Sequence, residues 1–139
     1  MDDAGRRLSE SLSDGKENHR PAAELTEKII GCAFKVSNAL GSGFLEKVYE
    51  NALTHELRKS GLTAEQQKRV DVLYDGVLVG YFDADIVVDR SVILEIKAVR
   101  ALDEAHIAQT LNYLKSTGIR LGLLINFGTP RIEVKRVAL

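Results

Sequence analysis

The chain has 139 residues, 45% hydrophobic and 28% charged, with nineteen basic against twenty acidic residues and a formal net charge of -1. That is enough for one core but leaves no room for a second domain, and it excludes a generally basic nucleic-acid-binding surface, leaving only a local patch. Cys32 is the only cysteine, which excludes an internal disulfide, a four-cysteine zinc site and a four-cysteine iron-sulfur cluster.

No apolar run approaches the ~20 residues of a membrane span, and "MDDAGRRLSESLSDGKENHRP" has no apolar signal-peptide core. The expectation is a soluble, cytoplasmic protein with no membrane partner. Residues 1–21 carry too little apolar surface to offset the entropy of ordering them, so they are predicted to form a flexible N-terminal tail, with the domain at 22–139.

From Ala22 the pattern becomes helical. Leu25, Ile29, Cys32, Val36 and Leu40 recur at helical spacing, and "GSG" at 41–43 ends that helix. A second helix is predicted from about Phe44 to Ser60, closed by Gly61. In it Glu46 borders the stripe of Tyr49, Leu53 and Leu57. That acid suits either a site or N-terminal capping, since it falls at N3 if Gly43 is the N-cap.

The middle of the chain is β in character: "RVDVLY", "VLVGYFDADIVV" and "SVILEIKAV", with Asp75-Gly76 as a two-residue hairpin signal. A third helix is predicted from Asp103 as N-cap to Thr117, with Gly118 behind it. His106, Gln109 and Tyr113 make a polar stripe on it beside the apolar Ile107, Leu111 and Leu114. "IRLGLLINF" and "RIEVKRVAL" read as closing strands. The predicted order is α-α-β-β-β-α-β-β, an α+β domain with a mainly antiparallel sheet.

The strand "SVILEIKAV" carries an acid and a base among aliphatics. Alternation puts Glu95 and Lys97 on one face. A two-residue loop at Asp89-Arg90 would set Asp85 opposite Leu94, on the wrong side. A three-residue loop, Asp89 to Ser91, pairs Val88 with Val92, Asp85 with Glu95 and Asp83 with Lys97. The odd-length loop is predicted, with Asp89 as the occupant of a left-handed position. Directly opposed carboxylates are destabilising unless a cation bridges them, and hard oxygen ligands favour Mg2+ or Mn2+. The competing reading is an Asp83–Lys97 ion pair with Asp85 and Glu95 as ordinary partly exposed residues.

"GFLEKVY" fits G-x-x-E-x-x-Y at Gly43, Glu46 and Tyr49. With "DADIVV", "ILEIKAV", "HIAQTLNYLK" and "GLLINFG", in that order over about 22–139, the chain resembles the GxxExxY family of the PD-(D/E)XK nuclease-like superfamily. The resemblance implies a restriction-endonuclease-like core with helices flanking the central sheet. It implies Asp85 and Glu95 as catalytic metal ligands, the Ile96 backbone carbonyl as a third, Lys97 as the catalytic lysine, and Glu46 as a catalytic helix acid near the metal directly or through water. Gln109 and Tyr113 resemble the Q-x-x-x-Y element of RecB-like nucleases. They and Tyr49 would support the site or touch substrate.

The function expected is metal-dependent phosphodiester hydrolysis, with Mg2+ or Mn2+ as cofactor and nucleic acid, DNA ahead of RNA, as partner. The alternative is a non-catalytic module on a nuclease fold that binds nucleic acid or a protein; a homodimer or larger complex is left open. Lys47, Lys68, Arg69, Arg90, Arg100 and Lys115 are candidates for a phosphate-binding rim. His106 fits the family pattern but has no second histidine nearby in sequence to make it a metal ligand.

Overall fold

The structure, a computed structural model, describes residues 22–139. The expected tail at 1–21 lies outside the described residues. Within them the elements follow the predicted order: α1 (Ala22–Leu40), α2 (Glu46–Lys59), β1 (Ala64–Tyr74), β2 (Val77–Val88), β3 (Val92–Lys97), α3 (Glu104–Thr117), β4 (Leu121–Asn126) and β5 (Glu133–Ala138). No helix among them is long and apolar enough to cross a membrane.

The strands form one sheet in the order β1-β2-β3-β4-β5. Its β1–β2, β2–β3 and β4–β5 pairings are antiparallel, and β3–β4 is parallel. A parallel pair needs a crossover, and α3 supplies it. One apolar cluster joins Ile29, Val36, Tyr49, Leu53 and Leu57 of α1 and α2 to Ile86, Leu94, Ile96, Leu123 and Ile125 of the sheet. A smaller cluster joins Leu114 of α3 to Ala84, Val87, Ile93 and Leu124. Alternation explains the split: in β3, Leu94 and Ile96 face α1 and α2, and Ile93 faces α3. Gly122 lets α3 lie close, since a Cβ there would stand 2.9 Å from Thr110 Cγ2.

The turns behave as their sequences require. Asp75 and Gly76 both take positive φ, 54° and 76°, and join Tyr74 to Val77 as a two-residue hairpin. The β2–β3 loop is Asp89 to Ser91, and Val88 pairs with Val92 as predicted. Both Asp89 (φ 49°) and Arg90 (φ 54°) are left-handed there, where only Asp89 was expected. Ser91 N–H closes the turn on Val88 O at 2.9 Å, and Ser91 is the extra residue that sets the register. Thr63 N–H and Oγ1 donate to Asp89 Oδ1 and fix the loop to the segment ahead of β1.

Two local expectations change. Strand β1 begins at Ala64 rather than Arg69, because the polar "AEQQK" is an edge segment recruited by pairing with the apolar end of β2. Helix α2 begins one residue after Leu45, which is its N-cap without a side-chain cap bond. Glu46 is therefore the first helical residue and does not close a capping box with Gly43. Helix α3 keeps its predicted ends: Asp103 accepts from His106 N–H, and Gly118 is left-handed at φ 77°.

Candidate active site

Strands β2 and β3 pair at only three positions, Val88–Val92, Val87–Ile93 and Ile86–Leu94. Asp85 and Glu95 are the next residues on each strand, and there the ladder gives way to side chains. Asp85 N–H donates to Glu95 Oε2 at 3.0 Å, and Ile96 N–H donates to Asp85 Oδ2 at 2.8 Å. The odd-length loop thus puts the two carboxylates on the same face, in phase with Val87 and Ile93, at the mouth of a fork between diverging strands.

This fork is acidic and largely dry. Glu95 is 3% exposed. Burial, then the charge of Asp85, pushes its carboxyl up to about 8, against the opposing effects of the Asp85 N–H and Lys97. Asp85 is half-buried, and its carboxyl is also raised, first by burial and then by the charge of Glu50, against the lowering effect of the Ile96 N–H. Among the described residues no buried side-chain oxygen lacks a hydrogen-bond partner. In a β-strand the N–H and C=O of one residue point to the same side. Ile96 O therefore points, with its N–H, into the gap that β2 has left.

Two opposed carboxylates and a carbonyl aimed between them form an oxygen-only set suited to a hard divalent cation. Among the described residues no group of three or more His, Cys, Asp and Glu side chains is placed to hold a metal. The oxygen donors brought together at the fork are the Asp85 and Glu95 carboxylates, beside the Ile96 main chain.

Lys97 is half-buried at the end of β3, and its charge acts on both Asp85 and Glu95. The Asp83–Lys97 ion pair is not formed: β2 and β3 have parted before those positions, and Asp83 is exposed opposite Arg69 of β1. Behind Lys97 the chain is clamped. Phe127 N–H donates to Lys97 O at 2.8 Å. Buried Asn126, in register with Lys97, accepts from Val99 N–H and Gly128 N–H and donates to Val99 O and Glu133 Oε1. Gly128 is required there, because a Cβ would collide with the Val99 backbone.

The helix acid of the motif stands at the rim. Glu46 is exposed, and its Oε2 accepts from Ala98 N–H at 3.3 Å, one residue past Lys97. Tyr49 sets its position from beneath: fully buried and stacked on Phe127, it donates to Gly41 O at 2.6 Å and accepts from Phe44 N–H at 3.1 Å. Gly41 and Gly43 take φ of 70° and 114° in that turn, which glycine permits without strain. Tyr49 is thus closed to solvent and braces the turn ahead of Glu46.

From the other face, Tyr113 stacks on Phe82 with ring centroids 3.7 Å apart and is hydrogen-bonded to the exposed Gln109. Burial, then the charges of Glu95 and Asp85, raises the Tyr113 phenol above its ordinary value. His106 Nδ1 accepts from Asp103 N–H at 3.1 Å and belongs to the helix cap. Of the rim candidates, Lys47 pairs with Glu50, Lys68 with Glu65, and Arg69 with Asp71 while lying over the Tyr81 ring.

Sequence reasoning missed the acid that α2 brings nearest in charge to the fork. Glu50, one turn after Glu46 and 4% exposed, accepts from Lys47 Nζ, Gln66 Nε2 and Gln67 Nε2. Its signal was an acid at i, i+3 and i+7 with Leu53 and Leu57, inside the apolar stripe. Gln67 and Asn126 gave no such signal.

Comparison with known proteins bears on the fold and the family of this chain. The solved structure of SSO0001 is similar at TM-score 0.52 and 18% identity, covering 94% of this chain and 74% of that one, which is a likeness of fold. No curated protein sequence matches. The family model of the PD-(D/E)XK nuclease superfamily matches residues 23–137, nearly all of the described residues, and the chain belongs to that superfamily.

Proposed function

We propose that residues 22–139 act as one domain, a divalent-metal-dependent nuclease of the GxxExxY type that hydrolyses phosphodiester bonds, in DNA ahead of RNA. The observation that carries this reading is the fork: Asp85 and Glu95 meet where the ladder ends, with Lys97 two residues on. A module that only bound phosphates would be hindered by two opposed acids on the phosphate path.

Asp85, Glu95 and the Ile96 carbonyl would hold the cation, Mg2+ or Mn2+. When bound, such an ion supplies Lewis acidity toward a phosphate oxygen and makes a coordinated water more acidic. Lys97 faces the charge that develops on the phosphate and orients the attacking water. Glu46, exposed at the rim, receives a proton through water. Gln109 and Tyr113 line the approach from α3.

The test is incubation of the purified chain with linear, nicked and single-stranded DNA and with RNA, in Mg2+, Mn2+ or chelator. Cleavage that needs the metal and disappears in Asp85→Asn supports the reading. Metal-independent retardation without cleavage on every substrate contradicts it and favours a binding module.

A further inference from the structure

Gln67 is the non-glycine residue at which strand β1 departs from extended geometry, with φ at 51°. Left-handed backbone is unfavourable for a long side chain and is ordinarily given to Gly or Asn. The β1–β2 register pairs Gln66 with Ile86 and Lys68 with Ala84, and it omits Gln67 with Asp85. The break in the ladder thus falls opposite the metal-ligand candidate, and Asp85 N–H turns to Glu95. Nothing in the packing of an exposed residue requires this.

The Gln67 side chain supplies a reason. Its Nε2 donates to Glu50 Oε1 at 2.9 Å and, at 3.4 Å, to Asp85 Oδ1. Glu50 is held in turn by Lys47 at 3.1 Å and by Gln66 at 2.6 Å, and Gln66 Nε2 also donates to Asn51 Oδ1 at 2.8 Å. One amide therefore donates to both carboxylates and holds the Asp85 oxygen not used by Ile96. A carboxylate fixed at both oxygens presents one geometry to an incoming cation.

We infer that Gln67, anchored on Glu50, is a positioning residue for the metal site, aiming Asp85 into the β2–β3 fork. The inference rests on the proposed metal-dependent reading. It assigns to the α2–β1 contact a role in cation affinity that is separate from folding.

Substitution separates the two, because Gly accepts φ of 51° freely and lacks the amide. The full chain is titrated with Mn2+ by calorimetry, without nucleic acid, and unfolded thermally in chelator. Gln67→Gly is expected to unfold at the wild-type temperature or above it and to bind Mn2+ about tenfold more weakly.

Wild-type Mn2+ affinity in Gln67→Gly overturns the positioning role and leaves the metal site standing. A large fall in its unfolding temperature also overturns it, since the side chain would then be holding the fold. Wild-type protein that binds Mn2+ no better than Asp85→Asn overturns the metal reading itself and this inference with it.

Discussion

Asp85 and Glu95 are joined by a hydrogen bond from the main chain of one to the side chain of the other, at the first position where β2 and β3 no longer pair. Two acids are thereby held together by backbone donors, Asp85 N–H and Ile96 N–H, without a cationic side chain between them. Burial, then the charge of a neighbouring carboxylate, raises both carboxyls above their ordinary values.

The pH dependence of stability follows from the Glu95 carboxyl, raised from 4.5 to about 8. Below 4.5 both folded and unfolded chains hold this proton, and it contributes nothing. Between 4.5 and about 8 the unfolded chain has released it and the folded chain keeps it, so stability falls as pH rises. The raised Asp85 acts in the same direction. In chelator the protein should unfold at a lower temperature at pH 8 than at pH 6, with a contribution on the order of a few kcal/mol. Saturating Mg2+ or Mn2+ should raise the pH 8 value more than the pH 6 value. Calorimetric unfolding at the two pH values checks both.

Lys97→Ala should remove catalysis and spare the fold. The side chain is half-buried and forms no ion pair among the described residues, so its loss should change stability by no more than about 1 kcal/mol. Loss of a charge aimed at the transition state should lower kcat by about 10²-fold or more. Single-turnover cleavage beside urea unfolding checks the two halves.

Tyr49→Phe keeps the stack on Phe127 and removes the hydroxyl that joins Gly41 O to Phe44 N–H. Two main-chain groups of the turn lose their partner, at a cost of about 1–2 kcal/mol. The start of α2 then loosens, and Glu46 with it, so kcat should fall while the KM for nucleic acid holds. Urea unfolding and steady-state cleavage measure these.

Asn126→Ala tests the clamp behind Lys97. It strips partners from Val99 N–H, Val99 O and Gly128 N–H in a buried place, and should cost about 2–4 kcal/mol. Amide exchange at Val99 and Gly128 should accelerate more than at Leu123, in the centre of β4. Equal acceleration throughout would mean global loosening without a local clamp.

The parts of this site legible in the sequence are those that obey a short period. Strand alternation and the parity of the Asp89–Ser91 loop were enough to bring Asp85 opposite Glu95, and Asp103 and Gly118 announced both ends of α3. The start of β1 was hidden, because "AEQQK" has no strand pattern of its own and is extended only by its pairing with β2. The Asp83–Lys97 pair failed for a related reason: register arithmetic assumes a continuous ladder, and this one ends at Ile86–Leu94. Glu50, Gln67 and Asn126 join residues 16 to 27 positions apart in sequence, where no local pattern marks the partner.

The central claim is that the Asp85–Glu95 fork takes one divalent cation, and Mn2+ titration of the wild-type chain against Glu95→Gln, by calorimetry at pH 7.5, tests it most directly. Gln keeps an oxygen for the Asp85 N–H and removes the charge, so the variant should unfold at or above the wild-type temperature in chelator. The account predicts one Mn2+ site in the wild type and its loss in Glu95→Gln. Equal binding by both chains, or none by the wild type, would contradict it.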